Sequence, residues 1–159
     1  MGKIQVFAGK GHGKSPAAWG EAVMAAAAGK QVFIIQFLKG NGMEESEFQR
    51  RLEPEIKLFR FEKSDCNFFE LPVERQEEEV QNIRNGLNFA RKVLHTFGCD
   101  LLILDEVLGL VSRDIIPMEE LLSVLEAKSD ETDLLLTGQV LDEEILQVAD
   151  RISRIEKVK

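Results

Sequence analysis

Residues 6–19 read Val-Phe-Ala-Gly-Lys-Gly-His-Gly-Lys-Ser-Pro-Ala-Ala-Trp. A largely apolar run, Ile4 to Ala8, enters this stretch, and a small-residue helical pattern, Ala17 to Ala28, leaves it. Between them stand Gly9, Gly11 and Gly13, then Lys14 and Ser15. Strand, glycine-rich turn and helix start are the context that a phosphate-binding loop requires. Glycines let successive backbone N–H groups point into one concavity without Cβ clashes. The following helix adds its free N–H groups and the positive end of its dipole. In such a loop Lys14 reaches phosphate oxygens and the Ser15 hydroxyl ligates Mg²⁺. Two positions depart from the usual pattern. Ala8 stands where the first glycine is expected. Pro16 lacks the N–H that a phosphate would otherwise meet, although proline is tolerated in a first helical turn.

The rest of the chain suits such a domain. Its 159 residues match one domain of ordinary size, predicted to span 1–159. Apolar content of 44% and charged content of 30% are those of a soluble globular protein. A formal net charge of -8 without a basic cluster argues against nucleic acid and anionic membrane as partners. Cys66 and Cys99 have neither disulfide-framework nor metal-ligand spacing and read as free thiols in a reducing cytosol. No signal-peptide pattern precedes the first strand and no apolar run is long enough to span a bilayer, so a cytoplasmic location is expected.

Strand patterns at Lys3–Ala8, Gln31–Phe37, Ile56–Phe61, Asp100–Asp105, Thr132–Leu136 and Ile152–Val158 alternate with helical ones. The helical segments are Ala17–Ala28, Glu44–Leu52, Val73–Phe97, Pro117–Leu125 and a short one to Ala149 capped by Asp142. On the long helix, Val80, Ile83, Leu87, Ala90, Leu94 and Phe97 recur at three- and four-residue steps, and Glu77, Glu78 and Glu79 read as a solvated face. Lys39-Gly40-Asn41-Gly42 reads as a loop. Glu62 to Pro72 reads as irregular; its Phe68 and Phe69 are either core plugs or ligand contacts. The alternation predicts an α/β fold of three layers on a mainly parallel sheet, P-loop NTPase-like, with the last strand at an edge. Ligands of such sheets sit at the carboxyl ends of the strands.

Leu101-Leu-Ile-Leu-Asp-Glu106 is the second constellation: four apolar residues, then two carboxylates. Beside a phosphate loop, such a strand delivers an acid to a Mg²⁺ shared with Ser15 and phosphate oxygens, making Ser15, Asp105 and Glu106 the candidate metal residues. His12 lies in the turn, either against phosphate or exposed; His95 reads as structural. No Ser/His/Asp arrangement or zinc spacing is present in the sequence.

With these residues in view, the chain resembles the corrinoid adenosyltransferases of the phosphate-loop type. Gly9-Lys10-Gly11-His12-Gly13-Lys14-Ser15 is similar to that family's Gly-Asn-Gly-Lys-Gly-Lys-Thr-Thr, and Ala17-Ala18-Trp19-Gly20 to its Ala-Ala-Phe-Gly. Gln36-Phe37-Leu38-Lys39-Gly40, Leu104-Asp105-Glu106, Leu136-Thr137-Gly138-Gln139 and Ala149-Asp150 follow in family order. The resemblance implies transfer of the 5′-deoxyadenosyl group of MgATP to a Co(I) corrinoid, with release of triphosphate. It implies ATP contacts from Gly9, Lys10, Gly11, His12, Gly13, Lys14, Ser15, Pro16 and Gln139, and catalytic roles for Lys14 and Glu106. Phe69, with Phe68 adjacent, matches an aromatic pair set against the corrin. ATP, Mg²⁺ and a corrinoid are then the small molecules, a homodimer the assembly, and a reductase supplying Co(I) a further partner. Gln139 replaces the family's arginine and Pro16 its second threonine; Lys10 and His12 are the expected substitutes at the phosphates. The phosphate turn taken alone also fits a non-catalytic nucleotide- or corrinoid-binding module, or an NTPase or kinase with another acceptor.

Overall fold

The structure is a computed structural model and describes residues 2–38 and 47–159. The loop expected at Lys39–Gly42 and the start of the helix expected from Glu44 lie outside these residues; the helix is present as α2, Glu47–Arg51. Strands β1 (Ile4–Ala8), β2 (Val32–Gln36), β3 (Ile56–Arg60), β4 (Leu101–Asp105), β5 (Asp133–Gly138) and β6 (Arg151–Arg154) form one sheet in the order β3-β2-β4-β5-β1-β6. Every strand pair in it is parallel. All six carboxyl ends therefore share one edge, the three-layer α/β arrangement expected of a P-loop NTPase-like chain. One strand, β5, lies between β1, which leads into the glycine turn, and β4, which carries the acids.

Successive strand residues face opposite sides of the sheet. Val6, Ala8, Ile35, Leu102, Leu104, Leu134 and Leu136 pack on one side, against α3 (Val73–Thr96), α4 (Val107–Ser112), α5 (Met118–Glu126) and α6 (Glu143–Val148). Phe7, Ile34, Ile103 and Leu135 pack on the other, against α1 (Lys14–Ala27). Two buried alanines, Ala18 and Ala22, form the contact face of α1. Their small side chains let the helix lie close to the sheet, which holds its amino end over the strand ends. On α3, Gly86 approaches the rings of Phe37 and Phe61 so closely that a Cβ would lie 3.1 Å from each.

Several expectations change. The last strand stops at Arg154 rather than running to Val158, because Ile155 leaves the sheet to cover the glycine turn. Helix α4 carries no sequence signal: Val-Leu-Gly-Leu-Val-Ser is short and nearly all apolar, so it has no period to read. Glu79 is not on a solvated face. It is 5% exposed and accepts hydrogen bonds from the backbone N–H groups of Lys63 and Ser64 and from Asn82. The carboxylate thereby satisfies donors that the chain leaves unpaired after β3. Phe97 is not core: it is 54% exposed and takes the left-handed position, φ 54°, that ends α3 one residue before Gly98. Asp142 stands at the cap position of α6, yet its side chain makes no capping hydrogen bond.

Neither cysteine is in a disulfide; Cys66 is exposed and Cys99 buried. Burial pushes the Cys99 thiol up to about 12. The thiolate is the reacting form, so Cys99 stays inert at neutral pH. A colorimetric thiol titration of the native protein is expected to find one reactive group and, after denaturation, two. Two equivalents from the native protein would contradict the packing around the start of β4.

Candidate active site

The glycine turn is held from above by the end of the chain. Gly9 N–H donates to the Gly138 carbonyl at 3.1 Å, and Ile155 N–H to the Ala8 carbonyl at 2.8 Å. Gly9 has φ 141°, and a Cβ there would overlap the Ile155 carbonyl oxygen. At Gly13 a Cβ would stand 2.5 Å from Ile155 Cγ2. These glycines thus serve close backbone packing as well as the concave turn. Gly13 precedes the first residue of α1, and Ala17 N–H closes the first helical bond to the Gly13 carbonyl at 3.1 Å. Pro16 is exposed in that first turn. Its missing N–H interrupts no bond inside the helix.

The turn delivers Lys14 and Ser15 to the two acids of β4. Lys14 is 3% exposed. Its ammonium donates to the Gly11 carbonyl at 3.1 Å and stands 3.7 Å from Glu106 Oε1. Ser15 Oγ lies 3.0 and 3.2 Å from the two oxygens of Asp105, which is 2% exposed. The intervening strand adds Thr137, whose hydroxyl donates to Asp105 Oδ1 at 2.7 Å and accepts from the Glu106 N–H at 2.7 Å. Glu106 has φ 61°, a conformation disfavoured for a residue with a Cβ. Thr137 thus holds the Asp105 carboxylate and the backbone turn that carries Glu106. Of the sequence-derived residues, Lys14, Ser15, Asp105 and Glu106 therefore meet at one point.

The donor set there fits Mg²⁺. Among the described residues no three His, Cys, Asp or Glu form a cluster that would enclose a metal. A hydroxyl and a buried carboxylate in contact, with a second carboxylate near, are oxygen ligands of the kind that leave a hydrated cation its waters and phosphates. Gln36 adds an independent observation. It is 2% exposed, sits in register with Asp105 on the adjacent strand, and its Oε1 has no hydrogen-bond partner. A buried acceptor without a donor is costly. Beside Asp105 it suits a donor that arrives with the ligand, as water on a hydrated cation does.

The remaining candidates divide between two open clefts. Gly9, Lys10, Gly11 and Gln139 line one of ≈ 410 Å³, together with Arg154 and Lys157. His12 is exposed and lines the adjoining depression with Lys10, Gly13 and Ile155. Phe68 and Phe69 line a separate cleft of ≈ 420 Å³. There the pair splits: Phe68, at 9% exposure, joins the core, whereas Phe69 is 51% exposed. The Arg113 guanidinium lies 5.7 Å from the Phe69 ring centroid. Helix α4 connects this cleft to the acids. It begins directly after Glu106 and ends directly before Arg113, a rise of roughly 9 Å for its six residues.

Sequence reasoning missed Thr137, Gln36, Arg154 and Arg113. Thr137 and Gln36 lie within motifs already quoted, at the carboxyl ends of strands, where polar residues after an apolar run are a usable signal. Arg154 and Arg113 gain their positions from a chain crossing and from a helix that the sequence does not announce.

Comparison with known proteins agrees with this geometry. The family model described as ATP:corrinoid adenosyltransferase BtuR/CobO/CobP matches residues 1–159. The corrinoid adenosyltransferase of Escherichia coli (strain K12) is 30% identical over 158 residues, covering 99% of this chain and 78% of that protein. That of Salmonella typhimurium (strain LT2) gives the same identity and the same coverage, 30% over 158 residues, 99% and 78%. A corrinoid adenosyltransferase of Pseudomonas aeruginosa is 23% identical over 159 residues, 99% of this chain and 76% of its own length. Matched by the family model from its first residue to its last, and folded around a glycine turn that meets an acid-tipped strand, this chain belongs to the ATP:corrinoid adenosyltransferase family.

Proposed function

We propose that the chain, acting as a single nucleotide-binding domain over residues 1–159, transfers the 5′-deoxyadenosyl group of ATP to the Co(I) centre of a corrinoid. The observation that carries the reading is the meeting of Lys14, Ser15, Asp105 and Glu106 at the sheet's carboxyl edge, beside the glycine turn. The cobalt electron pair forms the new bond to C5′ while the C5′–O bond breaks, and triphosphate leaves with that bond's electrons. Reduced cobalt is itself the nucleophile, so the protein supplies orientation and stabilises the leaving charge.

Each residue's part follows from its position. Beyond Gly9, whose N–H is taken by the Gly138 carbonyl, the backbone N–H groups of Lys10 to Ser15 face the triphosphate. Lys14 exchanges the Gly11 carbonyl for phosphate oxygens, with Glu106 orienting the ammonium. Ser15, Asp105 and Glu106 are the residues that would hold Mg²⁺, which would supply positive charge to neutralise the phosphate oxygens. The corrinoid lies against Phe69, whose ring is the more exposed of the pair. Helix α4 ties the acids to that face. Family membership is the support for a homodimer, a reductase that supplies Co(I), a cytoplasmic location and a place in cobalamin biosynthesis. Among the described residues no helix is long and apolar enough to cross a membrane.

Incubation with MgATP and chemically reduced cobalamin tests the reading through the corrin spectrum and the phosphate product. Adenosylated corrinoid and triphosphate are expected in equal amounts; ADP, free phosphate, or binding without turnover would contradict it. Lys14→Ala is expected to weaken MgATP by roughly ten- to a hundredfold, the size of one charge-assisted contact. Calorimetry on the folded variant checks this, and unchanged affinity would remove Lys14 from the site. Thr137→Val keeps the shape but leaves the Glu106 N–H without its acceptor. It is expected to cost about 1–3 kcal/mol in denaturant unfolding, and a neutral effect would show that Thr137 does not hold the acids.

A further inference from the structure

We propose that Arg154 is a phosphate-binding residue, gripping the nucleotide's triphosphate from the edge strand in the place that Gln139 leaves without a cation. The inference rests on the nucleotide-site reading above and extends it to a residue outside the glycine turn and the acid strand. Arg154 ends β6 in register with Ala8, the last residue before the turn. The next residue, Ile155, is bonded to Ala8 and packed on Gly9 and Gly13, so the backbone carrying Arg154 is fixed against the turn. Its side chain lines the ≈ 410 Å³ cleft shared with Gly9, Gly11 and Gln139. Lys10 and Lys157 line the same cleft, and Glu156 is its one carboxylate. Three cations against one acid, on a chain of net charge -8, concentrate uncompensated positive charge beside the turn's amides.

Among the described residues none of the three cations is engaged in an ion pair, so no carboxylate accounts for them. A polyanion in the cleft does. Of the three, Arg154 has the anchored backbone, and a guanidinium fork matches phosphate oxygens two at a time where an ammonium acts as a point charge. Lys10 belongs to the turn and Lys157 to the chain beyond the last strand.

The test titrates MgATP and inorganic triphosphate separately into the intact chain and into Arg154→Gln. Both affinities are expected to fall roughly tenfold or more, while the thermal midpoint of the ligand-free protein stays unchanged. Arg154→Lys is expected to recover part of the loss. Because Gln139 lines the same cleft, Gln139→Arg is expected to tighten binding more in the Arg154→Gln background than in the native chain. Unchanged triphosphate affinity in Arg154→Gln overturns the inference, and so does a loss accompanied by a lowered ligand-free midpoint that Arg154→Lys restores in full. Binding that responds to Lys14→Ala but not to Arg154→Gln leaves the nucleotide site standing and removes Arg154 alone. A native chain that binds neither ligand overturns both.

Discussion

The Asp105 carboxylate, buried to 2% exposure and held by two hydroxyls, is the interaction on which the site depends. A carboxylate so far from water needs partners that replace its hydration. Those partners come from two other elements: Ser15 from the start of α1 and Thr137 from the strand between β1 and β4. The contact can form only if α1 lies close to the sheet, which its alanine face permits, and if β5 presents a hydroxyl at that level. The same Thr137 oxygen accepts the Glu106 N–H and so sets the direction of the second acid. Fold and chemistry are joined at this one point, and a change in sheet order would separate them.

A second constraint is the crossing of the chain's end over the turn. Ile155 leaves no room for a side chain at Gly9 or Gly13. The glycines are therefore required twice, once by the concave turn and once by the segment above it. That segment also brings Arg154 and Lys157 into the cleft beside the glycine turn, where Gln139 contributes no charge. Helix α4 runs from Glu106, whose carboxylate stands 3.7 Å from the Lys14 ammonium, to Arg113 in the cleft of Phe69, so one short element joins the acids to that cleft.

Much of this was legible in the residues. The strand, turn and helix around Gly9–Ser15, the apolar strand ending in Asp105 and Glu106, and the alternation that makes the sheet parallel all rest on local patterns with a physical period. What was not legible depends on contacts far apart in the chain. Glu79 reads as one of three surface glutamates, yet it is buried because two N–H groups beyond β3 need an acceptor. Ile152 to Val158 reads as one strand, yet Ile155 turns out to pack on glycines more than 140 positions earlier. Phe68 and Phe69 are adjacent and chemically identical, and only the packing separates a core plug from an exposed ring.

The central claim is that Asp105 anchors the cation that accompanies the nucleotide. The most direct measurement is the calorimetric affinity of ATP in Mg²⁺ and in EDTA, for the native chain and for Asp105→Asn. The account expects Mg²⁺ to tighten ATP binding in the native chain and to have little effect in Asp105→Asn. An equal Mg²⁺ response in the two proteins would contradict it and reduce Asp105 to a structural carboxylate.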